Sequence, residues 1–460
     1  MANKMDVIVV GSGPAGMIAS VAAARSGAKV LLVERCGYLG GGMSAVETNY
    51  IGGWHNMQTG EQVIKGIPEE LADQLIEFGA SPGYLQEGDE AGEIPLDVEL
   101  MKLVADDFVL DNGVDVLFHS ALCGAITEGN NLQKIEVANK AGKQLLEADV
   151  FIDATGDGDL VAFSGAPYEL SPREDQQMAT MMFKMTHVDT DSLLAFAKET
   201  YGEVEGYSID TSQSDIQVAP GQWVFGFKKI LDDAKEKAER EGKTSGYRSP
   251  VIAIGAITGG EWVKDEYWML NTDVPVDSSD PEDITRLEIE GRRQIKALLP
   301  VLKGIPGFEN ARLGMIAPRA GIREGRRLVG EYTLTKKDVH ECSLFDDVVA
   351  YGTHHIDVHG SEKDPGHNVI KMKGKRGIYD IPYRALVPQK IDGLLVAGRC
   401  ISTSRYANYS TRYQAVCMAT GQAVGVAAAL ASAQGKSPRD VSVPELQASL
   451  NKLGASLDRE

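Results

Sequence analysis

Three imidazoles and a carboxylate occur in one short stretch, His354-His355-Ile356-Asp357-Val358-His359. If this stretch is a strand, side chains two residues apart share a face, so His355, Asp357 and His359 would lie together. A histidine beside a carboxylate is typical of acid–base catalysis, because the imidazole can take a proton near neutral pH. An exposed polar strand face without a catalytic role is an equally weighted alternative. Two metal ligands are a weaker one, and we expect no metal because no further ligand cluster accompanies the stretch.

Three arginines, Arg323, Arg326 and Arg327, form a second group with chemical potential. Guanidinium groups hold carboxylates through paired hydrogen bonds and stabilise negative charge that develops during a reaction. The alternative is salt bridging to the acidic surface of so negative a chain. We take Arg323 as the catalytic candidate of this group.

The N-terminal residues have the pattern of a βαβ unit. A buried parallel strand is predicted at Asp6–Val10, followed by the G-x-G-x-x-G sequence Gly11-Ser12-Gly13-Pro14-Ala15-Gly16 and a helix to about Ser26. A second strand at 29–33 ends at Glu34. The glycines allow a tight turn, close approach of a pyrophosphate and close packing of helix on strand, while the helix N-terminus favours phosphate. The pattern therefore predicts a dinucleotide site, with a glycine-rich turn without a ligand as the alternative.

The choice of dinucleotide depends on Glu34 and on the loop after it. An acid at this position suits the unphosphorylated ribose of either NAD or FAD. The loop Gly40-Gly41-Gly42-Met43-Ser44-Ala45 comes next, where a nicotinamide domain would continue into a third strand. Such a loop gives a flat ring close access to the backbone, which favours FAD; the alternative is a flexible loop.

Two further strands are predicted to end in turns beside the same site. One is 149–153, followed by the polar turn Ala154-Thr155-Gly156-Asp157-Gly158-Asp159, and the other runs from 393 to Gly398-Arg399. A helix rich in small residues is predicted at 415–431. Because ligands of open α/β sheets bind at the carboxyl ends of parallel strands, we expect these turns to converge on one elongated cofactor.

These motifs together resemble the family of FAD-dependent oxidoreductases, which have a glutathione-reductase-type FAD domain and a separate substrate cap and are distantly similar to fumarate reductase flavoproteins. The resemblance also covers Gly321-Ile322-Arg323-Glu324-Gly325-Arg326-Arg327, Ile381–Pro388 and Gly398–Ala429. It departs from the expected pattern at Gly325, Arg405 and Asn408. It implies an FAD cofactor and places Arg412 near the seam between cap and FAD domain, so Arg412 joins His355, His359 and Arg323 as catalytic candidates. The implied cofactor-binding residues are Gly11, Gly13, Pro14, Ala15, Gly16, Glu34, Arg35, Gly41, Gly42, Met43, Ser44, Leu122, Ala154, Thr155, Gly156, Asp159, Gly398, Arg399, Met418, Thr420 and Gly421.

The fold class implied by these elements is α/β, an FAD-binding Rossmann-like domain with an inserted mixed α+β cap. We expect residues 1–165 and 371–460 to form the FAD-binding domain and residues 166–370 the cap. Within the cap, strands are predicted at Met178–Lys184, Gln222–Lys228 and Tyr267–Leu270, and helices at 228–241 and 283–302. Without a second G-x-G-x-x-G sequence, a dedicated NAD(P)H domain is not expected.

The amino-acid composition limits the kinds of partner and the compartment that we expect for this chain. With 46 Lys and Arg against 66 Asp and Glu, the chain carries a formal charge of −20, which disfavours nucleic acid and anionic lipid as ligands. No apolar run reaches the roughly 18 residues that a spanning helix needs, and no targeting segment is recognised. The five cysteines are widely spaced, as expected for free thiols in the cytoplasm. A homo-oligomer is compatible with the sequence.

The sequence thus predicts an FAD-dependent oxidoreductase that transfers a hydride between a small polar organic substrate and flavin N5, with the dehydrogenase or oxidase direction favoured. The alternatives are a C=C (enoate) reductase resembling fumarate reductase, with an arginine as proton donor, and a flavoprotein electron-transfer subunit. The electron acceptor or donor is not identified and includes a protein partner.

Overall fold

The computed structural model describes residues 4–85, 92–201, 227–242, 253–259, 261–364, 366 and 368–457. Its central feature is a parallel sheet whose strands run, in spatial order, Asp115–Leu117, Val30–Val33, Met5–Val10, Gly142–Asp153 and Leu394–Val396. Val30–Val33 and Leu394–Val396 are fully buried apolar runs, as is typical of parallel strands covered on both faces. The predicted α/β fold with an N-terminal βαβ unit is confirmed.

An antiparallel meander extends the same sheet. The strand Gly142–Asp153 is long enough to pair with Met5–Val10 through its carboxyl-terminal half and with Asn131–Asn139 through its amino-terminal half. Ala121–Glu128 completes the meander. The meander therefore forms one continuous sheet with the parallel strands.

Two helices pack closely against each other behind the sheet. They are the fingerprint helix, Pro14–Arg25, and the long C-terminal helix, Gln414–Gln434. A Cβ atom on Gly421 would lie 2.2 Å from the carbonyl oxygen of Ala15, so glycine is required at this crossing. Small side chains let the two backbones approach each other, and this contact fixes the fingerprint helix on the sheet.

The long C-terminal helix is also apolar enough to cross a membrane by length and composition, with a mean hydropathy of 1.5. The expectation that no apolar run reaches the length of a spanning helix therefore does not hold for this segment. However, 83% of the apolar window is buried inside the protein, as in the core helix of a globular domain.

A second layer of structure is built around an antiparallel sheet of four strands in the order Ala253–Thr258, Glu261–Met269, Phe183–Thr186 and Arg312–Ile316. Its helices are Thr190–Tyr201, Phe227–Arg240 and Pro281–Leu302. The two predicted charged helices are thus confirmed. The strand predicted at Met178–Lys184 begins only at Phe183, and of the strand predicted at Gln222–Lys228 residues 222–226 lie outside the described residues while Phe227 already begins a helix.

The remaining elements are short and connect these layers. The helices are Gly42–Ala45, Ile67–Glu77, Val98–Leu110, Asp159–Phe163, Lys336–Glu341, Arg405–Thr411 and Val443–Lys452, with single 3-10 turns at Arg173–Asp175, Tyr383–Ala385, Gly398–Cys400 and Pro438–Asp440. The paired strands are Tyr50–Ile51 with Ile94–Pro95, Tyr168–Glu169 with Arg327–Leu328, Val348–Gly352 with Tyr379–Pro382, and Ile356–Val358 with Asn368–Ile370.

Buried apolar side chains fall into two large clusters. One surrounds the parallel sheet and includes side chains from Leu328 to Ile378, and the other lies between Ala179 and Ala320. The boundaries predicted for the two domains, at 166 and 370, stay a prediction.

Candidate active site

One elongated cavity of about 440 Å³ follows the carboxyl ends of the parallel strands and continues under the antiparallel layer to the strand Ile356–Val358. We call it the central cavity. It brings together most of the residues predicted from sequence. Those that line it are Gly11, Gly13, Pro14, Ala15, Glu34, Arg35, Gly41, Gly42, Leu122, Ala154, Thr155, Gly156, Asp159, Gly398, Arg399, Arg323, His359 and Arg412.

The glycine-rich turn has the geometry that a phosphate needs. Gly11 has a positive φ of 95°, and a Cβ there would lie 2.6 Å from the carbonyl oxygen of Ala154. Gly13 is the N-cap of the fingerprint helix, no side chain caps that helix end, and a Cβ on Gly13 would meet no atom within 4 Å. The first free N–H groups of the helix therefore face an open part of the cavity.

Glu34 stands at the tip of its strand with its carboxylate held in place. The backbone N–H and the hydroxyl of Ser12 donate to Oε2 at 2.8 and 2.7 Å, and the N–H of Cys36 donates to Oε1 at 2.8 Å. Each carboxylate oxygen can accept more than one hydrogen bond. Glu34 lines the cavity and so can accept from a ribose hydroxyl as well.

The turn after the strand Gly142–Asp153 is organised by the fully buried carboxylate of Asp153. It accepts hydrogen bonds from the N–H and hydroxyl of Thr155 at 3.0 and 2.7 Å and from the N–H of Val161 at 2.8 Å. Arg399 donates from Nε to the carbonyl of Gly156 at 2.8 Å and from a terminal nitrogen to Asp157. Arg399 thereby connects the ends of the strands Gly142–Asp153 and Leu394–Val396, next to the end of Met5–Val10.

Asp159 lies in this turn, faces the cavity and has an unusual acidity. Burial and the neighbouring Asp157 and Asp153 raise its pKa to about 6, although Arg326, at 3.0 Å, opposes the shift. A carboxyl group with this pKa takes up a proton near pH 6, and in its protonated form it can donate a hydrogen bond to an anionic ligand.

The loop after Glu34 closes over the glycine-rich turn. Gly41 has a φ of 54°, and a Cβ there would lie 2.6 Å from the Cα of Gly13, while Gly42 faces open space. Met43 and Ser44, also predicted to contact the cofactor, are buried and do not line the cavity; the Ser44 hydroxyl donates to the carbonyl of Leu39 at 2.5 Å. They support the loop from beneath.

The long C-terminal helix presents different residues from those predicted. Met418, Thr420 and Gly421 are not among the cavity-lining residues, nor is Gly16 of the fingerprint. Gly421 and Gly16 are packing positions, where a Cβ would lie 2.2 Å from Ala15 O and 1.8 Å from Gly11 O. Thr420 contacts a residue that lines the cavity, because its hydroxyl accepts a hydrogen bond from the N–H of Gly398 at 3.0 Å. The helix faces the cavity through its first turn, with Gln414 and Cys417.

The residues present therefore fit FAD. Three observations agree: an uncapped helix N-terminus above an open glycine, a carboxylate at the second strand tip, and a glycine loop that leaves space at Gly42. Gly11 to Gly13 would hold the pyrophosphate, Glu34 the ribose, and Gly41, Gly42 and Gly398 would border the ring.

Beyond the glycine loop the cavity contains a charged cluster around Asp357. Its Oδ2 accepts hydrogen bonds from His359 Nε2 at 2.8 Å, from a terminal nitrogen of Arg412 at 2.9 Å and from the Tyr413 hydroxyl at 2.9 Å. Burial, together with the positive charge of Arg323, lowers the pKa of His359 despite its bond to Asp357. Asp357 orients the imidazole, and Arg412 compensates the charge of Asp357.

His354 is a second imidazole in the cavity, and sequence reasoning did not select it. Its ring stacks on that of Tyr413, with centroids 3.4 Å apart and planes 15° apart, and its Nδ1 lies 2.9 Å from the carbonyl oxygen of His355. Burial lowers the pKa of His354 to about 4, so the ring is neutral at physiological pH. Because a carbonyl accepts only, the proton of the neutral ring is on Nδ1 and the lone pair is on Nε2.

His355 is placed differently from the prediction. It is not among the residues that line the cavity, and its Nδ1 accepts a hydrogen bond from the N–H of Met372 at 3.2 Å. The strand begins only at Ile356, so the expected alternation of faces does not extend to His355.

The three neighbouring arginines have three separate surroundings. Arg323 lines the cavity, where it donates to the carbonyl of Met178 and the hydroxyl of Thr180, both at 2.7 Å. Arg326 pairs with Asp159 at 3.0 Å, and Arg327 pairs with the buried Glu324 at 3.0 Å. Of these three arginines, only Arg323 lines the cavity.

Several cavity residues were not selected from the sequence. They include Ser12, Tyr38, Tyr50, Glu93, Arg319 and Tyr413. Tyr413 and Gln414 directly follow the predicted Arg412 and would have been found by extending the helix one turn towards its N-terminus. Within the described ranges, no group of three or more His, Cys, Asp or Glu side chains is arranged to hold a metal ion.

A sequence model of the family described as FAD dependent oxidoreductase matches residues 6–450, almost the whole chain. Among curated proteins, digeranylgeranylglycerophospholipid reductase 1 of Methanococcoides burtonii is 23% identical over 255 residues, 55% of this chain and 58% of that protein. Thiamine thiazole synthase of Aeropyrum pernix is 30% identical over 167 residues, 33% of this chain and 55% of that protein. The chain thus matches little more than half the length of these curated relatives.

Solved structures with a similar course of the chain include a geranylgeranyl bacteriochlorophyll reductase-like protein from Thermoplasma acidophilum, with 13% identity and a TM-score of 0.47 over 98% of this chain and 83% of that one. Another is p-nitrophenol 4-monooxygenase PnpA from Pseudomonas putida DLL-E4, with 12% identity and a TM-score of 0.46 over 100% of this chain and 91% of that one.

Proposed function

This chain belongs to the FAD-dependent oxidoreductase family, and from that premise we propose that it oxidises a small polar organic substrate in the central cavity. The substrate would bind in the part of the cavity beyond the loop Gly40–Ala45, next to the cluster around Asp357, which we call the distal part. When bound, FAD supplies the redox chemistry by accepting a hydride at N5. The chain itself supplies the cradle, the proton acceptor and the groups that orient the substrate. We propose that it does so as a cytoplasmic protein without nucleic-acid or membrane partners.

One observation carries this proposal: a single cavity joins the FAD cradle to two imidazoles. His354 and His359 both line it, as do Gly13, Glu34 and Gly398 of the cradle. A substrate placed between the loop Gly40–Ala45 and these imidazoles would have a proton acceptor on one side and the residues that would border the flavin ring on the other. That arrangement is what oxidation of a carbon bearing an O–H or N–H group requires.

Oxidation of the substrate releases one hydride and one proton, and the two imidazoles are the groups proposed to take the proton. The substrate carbon loses a hydride, and the adjacent O–H or N–H loses a proton, so two electrons and two hydrogens leave in total. His354 offers the better defined lone pair, because its Nδ1–H is bound to the carbonyl of His355 and its Nε2 faces away from that bond. The lowered pKa values keep both rings in the neutral form at physiological pH, in which one ring nitrogen of each carries a lone pair.

The test is the rate at which substrates reduce the flavin under anaerobic conditions, measured by bleaching of the flavin absorption bands. Hydroxy acids, sugars and amines are the donors to be tried. With a donor that bleaches the wild type, we expect His354→Ala or His359→Ala to slow reduction by about 10² or more. His355→Ala is the matched control, since His355 does not line the cavity, and should stay close to the wild-type rate. Unchanged rates in both cavity variants would remove the catalytic role of the imidazoles.

A second candidate is reduction of an activated C=C bond, with Arg323 as proton donor. Arg323 lines the central cavity, and burial together with the charge of Arg412 lowers its pKa. In this case the dithionite-reduced flavin would reoxidise when an enoate is added, and Arg323→Lys would lose that reaction. If no small molecule reduces or reoxidises the flavin, co-purification with a redox partner would support the electron-transfer hypothesis instead.

A further inference from the structure

We propose that the substrate is a small organic acid and that its carboxylate is bound by Arg319 and Arg323. This inference rests on the proposed function and adds the substrate class. Arg319 was not selected from the sequence, and both side chains line the distal part of the central cavity.

The backbone between the two arginines is pressed against the glycine loop. The N–H of Arg319 donates to the carbonyl of Ala45 at 2.9 Å, and Gly321 exchanges two backbone hydrogen bonds with Thr180, at 3.0 and 2.7 Å. A Cβ on Gly321 would lie 2.6 Å from Cγ1 of Val46. The segment is therefore held next to the loop proposed to border the flavin ring, and the two arginines flank the point of contact.

Neither guanidinium has an anionic partner in the part of the chain that the structure describes. Arg319 forms no ion pair there, and its buried Nε has no hydrogen-bond partner. Arg323 forms no ion pair either and donates only to the neutral oxygens of Met178 and Thr180. Asp273 and Asp357 contribute favourable charge to Arg323 without counting among its hydrogen-bond acceptors.

Three other arginines in or near this region do have carboxylate partners. Arg326, Arg327 and Arg412 each contact a carboxylate within 3.0 Å. In a chain with 66 acidic and 46 basic side chains, two cavity arginines without a carboxylate are an arrangement that costs stability. A bound anion removes that cost, and the planar guanidinium fits a carboxylate through two parallel hydrogen bonds.

The rest of this part of the cavity favours an organic anion over an inorganic one. Met182, Leu270 and Ile322 line it beside the two arginines. Apolar side chains gain contact with a hydrocarbon chain, whereas they give nothing to phosphate. The surface therefore fits a short carbon chain that ends in a carboxylate.

The test is calorimetric titration of the FAD-saturated protein with butyrate, with its neutral isostere butyramide and with inorganic phosphate. We expect butyrate to bind at least about tenfold more tightly than either of the others. Arg319→Gln and Arg323→Gln should each weaken butyrate binding by about tenfold or more, as expected for loss of a hydrogen bond to a charged group. Arg323→Lys, which keeps the charge and a donor, should give an intermediate loss. Arg293→Gln is the control, because Arg293 is 73% exposed and lies on the helix Pro281–Leu302 away from the cavity.

Three results would overturn the inference. One is equal affinity for butyrate and butyramide, and another is tighter binding of phosphate with the same dependence on the two arginines. The third is loss of FAD from Arg319→Gln with unchanged butyrate affinity, which would assign Arg319 to the cofactor. Because the readout is binding, it is separate from the proposed reaction: arginine-dependent butyrate binding without any donor that bleaches the flavin would contradict the proposed function alone.

Discussion

The buried carboxylate of Glu47 is expected to make the stability of the protein depend on pH. Its side chain is 1% exposed, its backbone has a φ of 61°, and neither carboxylate oxygen has a hydrogen-bond partner among the described residues. The closest positive charge is Lys102 Nζ, 3.8 Å from Oε1. Burial raises the pKa of Glu47 to about 7, and Lys102 only partly opposes this. The residues on either side, Val46 and Thr48, line the central cavity.

The sign of the effect follows from proton binding. Between pH 4.5, the ordinary pKa, and about 7, the folded protein keeps a proton that the unfolded chain has lost. The free energy of unfolding therefore falls as pH rises through this range. At about 1.36 kcal/mol per pH unit, the ionised carboxylate costs at most about 3 kcal/mol at pH 8 and less than about 1 kcal/mol at pH 5.

Glu47→Gln removes the charge at nearly constant volume. We expect the variant to be more stable than the wild type at pH 8, and its advantage to shrink by about 2 to 3 kcal/mol between pH 8 and pH 5. The assay is urea unfolding followed by circular dichroism at both pH values, with equal FAD saturation. Glu99→Gln is the control, since Glu99 pairs with the same lysine at 2.7 Å but is 66% exposed. An advantage that is the same at both pH values, or a variant less stable at pH 8, would refute the reasoning.

Three further predictions concern the cradle and the cluster. Gly13→Val should keep the fold, because Gly13 has an ordinary extended conformation, but should abolish retention of FAD; a variant that purifies with a full flavin spectrum would contradict this. Asp153→Asn should lower FAD affinity by about tenfold or more, because its carboxylate holds the turn that faces the cofactor, and fluorescence titration of the apoprotein with FAD would measure it. Asp357→Asn should lower the free energy of unfolding by about 3 kcal/mol, because it leaves the buried Arg412 without its anion, and an unchanged urea midpoint would speak against this.

Much of the FAD half of the site was readable from the sequence. The strand at Met5–Val10, the helix at Pro14–Arg25 and the strand at Val30–Val33 lie within about a residue of the predicted bounds. These signals are local: apolar runs, glycines with a required geometry and an acid at a strand tip. The convergence of three strand ends also followed from sequence, because parallel strands present their carboxyl ends at one edge of the sheet.

The orientation of the long C-terminal helix was not readable in the same way. Met418, Thr420 and Gly421 were predicted to contact the cofactor and instead pack inside the protein. A helix that is apolar and small all round has no polar face to show which side meets a ligand. Only its packing on the fingerprint helix decided that the first turn, at Gln414 and Cys417, faces the cavity.

The catalytic half depended still more on tertiary structure. The sequence by itself determined that histidines and an aspartate follow one another at 354–359, and that arginines cluster at 323–327. Which histidine enters the cavity was decided by Tyr413, which stacks on His354 and binds Asp357 from far along the chain. The arginines are chemically identical in sequence, and whether each is neutralised depends on carboxylates brought near by folding. Electrostatic pairing acts over a few ångströms in space, so the sequence specified the charges while the fold alone determined which of them remain available to a substrate.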